Sequence, residues 1–100
     1  MMTFADMPDL LVMEISDEDA AGSLRYSSFS CPIARHVKKN IGKHDGISRA
    51  LCFINGVPYT AEPDAVAFMD EVDAGRPVRY PQTVTFRRRR PVANLSTGAF

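Results

Sequence analysis

Asn55-Gly56, set between two short apolar runs, constrains this chain more than any other feature. Asn-Gly suits a two-residue type I′ turn, because both central positions of that turn need positive φ. The flanking runs, 50–54 and 57–60, therefore read as a β-hairpin. The turn sets the register, with Ile54 opposite Val57, Phe53 opposite Pro58 and Cys52 opposite Tyr59. In that register the Pro58 nitrogen faces away from its hairpin partner and has no proton to give a third strand. Strand 57–60 is thus expected at a sheet edge. Strand 50–54 is apolar on both faces, Cys52 and Ile54 on one side, Leu51 and Phe53 on the other. Leu51 and Phe53 are accordingly the candidate partner or dimer surface. The expected cover is the N-terminal segment, the C-terminal tail or a second copy of the chain.

The remaining elements follow from periodicity and end signals. Residues 10–15 read as a first strand after the Pro8-Asp9 breaker. Ser16 with Asp19 three residues on has capping-box spacing and opens a short turn that ends at Gly22. A helix follows, with Ser30 as the expected cap, Pro32 in its first turn and Gly42 as its stop. Ile33, Ala34, Val37 and Ile41 form its apolar stripe, while Arg35, Lys38 and Lys39 lie off it. A second helix runs from Pro63 to about Ala74, buries Ala65, Phe68, Met69 and Val72, and stops at Gly75 and Pro77. Residues 83–87 alternate as a last strand with Val84 and Phe86 on one face.

The order β-α-β-β-α-β predicts one α+β domain over 10–90, after an N-terminal segment 1–9 and before a tail 91–100. A four-stranded mixed sheet with two helices on one face is expected, either ferredoxin-like or a variant ordered 4-1-2-3. The ferredoxin-like form puts the third strand inside the sheet. Pro58 favours the variant. One hundred residues suffice for one modest core without metal or disulfide support.

No apolar run approaches the ~20 residues of a spanning helix, and Asp6 and Asp9 replace the basic start of a secretory leader. Two cysteines without a pairing pattern suit a reducing compartment, so a cytoplasmic location is expected and no membrane partner. Net charge is zero but segregated: 1–20 holds six acids and no base, 76–100 six arginines and no acid. Segregation of this kind suits either faces that neutralise one another or a basic patch for an acidic partner.

Few residues suggest chemistry. Cys31 precedes a helix start, a setting that lowers a thiol pKa, yet His36 is poorly placed to act as its base. Cys31, His36, His44 and Cys52 have spacings that match no usual zinc pattern. No catalytic residue, cofactor site or metal site is assigned, and no enzyme is expected. Arg87, Arg88, Arg89 and Arg90 form the most conspicuous run and could neutralise phosphates together with Lys38, Lys39 and Lys43. The simpler reading is a charged strand end that resists aggregation.

Cys31-Pro32-Ile33-Ala34, then a basic helix and a hairpin, then Ala67-Phe68 and Asp73-Ala74-Gly75-Arg76-Pro77-Val78, resemble a group of small proteins encoded by actinobacterial phages and prophages. The similarity spans roughly residues 10 to 88. Serines ahead of Cys31 stand where relatives often add a cysteine, and the four arginines and tail look like additions. The resemblance implies a phage-type origin, a shared fold and the bacterial host cytoplasm, with no activity to carry over. The function expected is that of a non-enzymatic accessory protein that binds a host or phage protein. A homodimer is one form of that partnership. Nucleic-acid binding through Arg87–Arg90 and the basic helix 31–43 is the alternative.

Overall fold

The computed structural model describes residues 6–23, 27 and 29–89. Its strands are β1 (Leu10–Ile15), β2 (Cys52–Ile54), β3 (Val57–Ala61) and β4 (Gln82–Arg88); its helices are α1 (Asp17–Ala20), α2 (Pro32–Asn40) and α3 (Pro63–Asp73). The hairpin forms as its turn demands. Asn55 has φ 53° and Gly56 φ 79°, and Cys52, Phe53 and Ile54 face Tyr59, Pro58 and Val57.

The α+β class stands, but the sheet order is corrected. The four strands run β1-β4-β3-β2, each antiparallel to its neighbour. The sheet is therefore not mixed, and the order is neither 4-1-2-3 nor the ferredoxin-like one, because β1 is an outer strand. Strand β3 lies inside the sheet despite Pro58. The reason is stagger: β4 pairs with Tyr59, Thr60 and Ala61, so Pro58 sits where that ladder ends. There its carbonyl still accepts from the Arg89 N–H at 2.9 Å, and the missing proline N–H forfeits one terminal bond.

Ser16 caps α1 in a capping box, its hydroxyl accepting from the Asp19 N–H while the Asp19 carboxylate accepts from the Ser16 N–H. Cys31, not Ser30, caps α2: its Sγ accepts from the Ala34 N–H at 3.4 Å, with Pro32 next in the first turn. Both longer helices lie on one face of the sheet. Ile33, Ala34 and Val37 from α2 and Ala65, Phe68 and Met69 from α3 join Leu11, Met13, Ile15, Val57, Tyr59, Val84 and Phe86 in one core. Each buried Val, Leu, Ile, Phe or Met side chain among them stabilises by roughly 1.5–3 kcal/mol, and each alanine by less.

The N-terminal segment is not wholly outside the domain. Met7 is buried in the core, and the Pro8 carbonyl accepts from the Tyr59 hydroxyl. Residues 1–5, Arg90 and the tail 91–100 lie outside the described residues.

Candidate interaction surface

Alternation along the strands puts one face of the sheet against the helices and the other toward solvent. On β1, Leu11, Met13 and Ile15 are buried while Leu10, Val12 and Glu14 are exposed. Registers then lay out the outer face in rows. Phe53, Pro58 and Arg89 form one; Thr60, Arg87 and Leu10 the next; Thr85 and Val12 a third; Thr83 and Glu14 the last. Val12 is 60 % exposed, Leu51 50 %, Leu10 44 % and Phe53 39 %. The described residues leave this second face uncovered, with Leu51 and Phe53 at the β2 end. Sequence reasoning placed the apolar exposure on β2 and missed Leu10 and Val12, whose signal was the alternation of Leu10 to Ile15 itself.

The two sheet edges differ. Outside β2 the 43–45 segment supplies partners: the Phe53 N–H donates to Asp45 Oδ1 at 3.0 Å, and the Asn55 N–H to the Lys43 carbonyl at 2.8 Å. His44 also bridges to Ile54. The Asn55 side chain completes this seam, accepting from the Lys43 N–H at 2.8 Å and donating to the Ile41 carbonyl at 3.3 Å. It passes so close to Gly42 that a Cβ there would lie 2.0 Å from Asn55 Oδ1.

Outside β1 the described residues form no such seam. The Arg88 N–H donates to the Asp9 carbonyl at 2.7 Å, which fixes the ladder so that Leu11, Met13 and Ile15 turn their backbone groups to β4. Leu10, Val12 and Glu14 turn theirs away from the sheet. Among the described residues these N–H and C=O groups have no partner.

The basic residues are split. Lys38 and Lys39 lie on the solvent side of α2, over the inner face, and Lys43 follows at the β2 margin. Arg87 and Arg89 project from the outer face. The two sets do not make one surface. Several are also engaged: Arg87 Nε lies 3.2 Å from Glu62 Oε2, Lys39 Nζ 3.1 Å from Glu18 and from Asp19, and Arg88 donates to the Met7 carbonyl at 3.0 Å.

Asp19 draws together more than its capping role suggested. It is 2 % exposed, and its Oδ2 meets His36 Nδ1 at 2.9 Å while Oδ1 faces Lys39. Burial pushes its carboxyl up, but the Ser16 N–H, His36, Lys39 and the Ser16 hydroxyl outweigh that and hold it at about 2. This cluster ties α1 to α2. His36, read as lacking a role with Cys31, is held by it.

Cys31 and Cys52 are free thiols. Burial pushes the Cys31 thiol up, outweighing the lowering by the Ala34 and Ile33 N–H groups at the helix start. A cavity of about 280 Å³ adjoins it, lined also by Ile47, Met69 and Arg49, whose guanidinium is already paired to Asp70 and Asp73. Among the described residues no three of His, Cys, Asp and Glu are gathered to hold a metal. Nor is any helix there long and apolar enough to cross a membrane. No family model, curated protein or solved structure matches this chain.

Proposed function

We propose that this chain is a small non-enzymatic accessory protein of phage type, working in the bacterial host cytoplasm by binding a host or phage protein. The observation that carries the reading is the outer face that the described residues leave uncovered, where Phe53, Leu10 and Val12 stand exposed on the sheet. An exposed aromatic beside aliphatic side chains is the usual core of a protein contact. Arg89 stands in the Phe53 row and makes no ion pair among the described residues. The partner surface suited to this face is apolar at its centre and acidic at its rim. Nucleic-acid binding has less support, because Lys38 and Lys39 lie on the opposite side of the sheet from Arg87 and Arg89.

The test is capture from host lysate with tagged protein, with and without nuclease, beside a Phe53→Glu/Arg89→Glu variant. The reading expects one host protein enriched equally with and without nuclease and lost in the variant. Capture that vanishes with nuclease transfers the function to the basic segments, of which Arg89 is itself a part.

A further inference from the structure

The β1 edge, open among the described residues, carries few of the devices that keep edge strands apart, Glu14 being its one charged side chain. Leu10 to Ile15 contains no proline and no lysine, and its ladder with β4 runs through six successive pairs without a bulge. No charged side chain on β1 points inward, since the inward residues are Leu11, Met13 and Ile15. The opposite edge of the same sheet is sealed by the 43–45 segment. Among the described residues the fold thus closes one edge with its own chain and leaves the other open.

We propose that β1 pairs antiparallel with β1 of a second copy, about a two-fold axis through Val12, joining the two sheets into one of eight strands. This stands apart from the outer-face reading, because it uses the edge and needs no foreign partner. Register follows from the backbone. Only Leu10, Val12 and Glu14 aim their N–H and C=O groups outward, and only pairing Val12 with the partner's Val12 satisfies all of them on both chains. Leu10 then meets the partner's Glu14, and Glu14 the partner's Leu10. Each outward group that lacks a partner in one chain gains one in the pair.

Charge selects a second copy as the occupant. Glu14 and Arg87 lie on the outer face at opposite ends of β1, Arg87 being opposite Leu10. The two-fold brings the Glu14 carboxylate to the end of the partner strand where the partner's Arg87 is next along the row. The two Glu14 side chains stay about four residues, or ~13 Å, apart. Val12, the most exposed apolar residue of the four strands at 60 %, is covered at the axis. The contact is narrow compared with the ~800 Å² per partner of a standard interface, so association is expected to depend on concentration.

Sedimentation velocity from roughly 5 to 500 µM tests the proposal. The wild-type chain is expected to pass from monomer to dimer across that range. Val12→Pro removes the central outward N–H, a bond absent within the monomer and a position proline tolerates on an edge. It should weaken dimerisation at least ~10-fold with the same thermal melt at low concentration. Val12→Lys, which opposes two like charges at the axis, is the second variant should proline disturb the strand. Register is read by oxidation: Val12→Cys should crosslink, its Cα atoms ~5.5 Å apart, whereas Glu14→Cys should not. A wild-type monomer throughout, or equal crosslinking at positions 12 and 14, overturns the proposal.

Discussion

Replacing Asp19 by asparagine measures how far one buried carboxylate fastens the N-terminal half of the domain to α2. Asparagine keeps an acceptor for the Ser16 N–H but removes the charge that faces His36 and Lys39. The folded carboxyl stands at about 2 against an ordinary value of 3.8. At 1.36 kcal/mol per unit, that difference contributes roughly 2 kcal/mol at neutral pH. Because the folded value is depressed, the stabilisation is complete above the unfolded value and declines as pH falls toward 2. At pH 3 the same linkage leaves roughly 1 kcal/mol. Urea unfolding of wild type and Asp19→Asn at pH 7 and pH 3 is the assay. The variant should be less stable by roughly 2 kcal/mol at pH 7, with about half that deficit at pH 3. A deficit under roughly 0.5 kcal/mol at pH 7, or one equal at both pH values, would refute the reasoning. The first result would mean that desolvation cancels the pairing, the second that shape rather than charge is what asparagine lacks.

Asn55→Ala should cost roughly 2–3 kcal/mol by chemical denaturation, because it puts alanine at φ 53° and strips the partners from the Lys43 N–H and Ile41 carbonyl. A loss under roughly 0.5 kcal/mol would show that the 41–43 seam closes without it. Tyr59→Phe leaves the Pro8 carbonyl without its hydroxyl donor and should lower stability by roughly 1–2 kcal/mol; an unchanged midpoint would mean water replaces that bond. Cys31, with its thiol pushed up by burial, should react with iodoacetamide at neutral pH more slowly than a free peptide thiol. Faster labelling would mean that the helix start outweighs burial at this thiol.

How much was legible follows from which interactions are local. The hairpin, its register and the two faces of β2 come from Asn55-Gly56 and alternation, and the structure has them as expected. The stripes of α2 and α3 are likewise local: Ile33, Ala34, Val37, Ala65 and Phe68 are all buried. The helix start at Cys31 was missed by one residue, since a thiol is an uncommon cap and serine the commoner one. The Asp19–His36 contact spans 17 residues and has no spacing signal at all.

Pro58 shows why strand order was harder. Its missing N–H does forbid a bond to a neighbour on that side, and the register that made the bond matter was read as it occurs. What local chemistry could not supply was the stagger of β4, which pairs with β3 from Tyr59 onward and meets Pro58 only through its carbonyl. A proline at the last rung of a ladder therefore says where pairing stops, not that a strand is outermost. The same logic turns the question to β1. Its sequence carries nothing that stops pairing at any rung, yet on one side no described residue pairs with it. If an edge is kept single by what it carries, Leu10 to Ile15 is the strand in this fold least equipped to stay single.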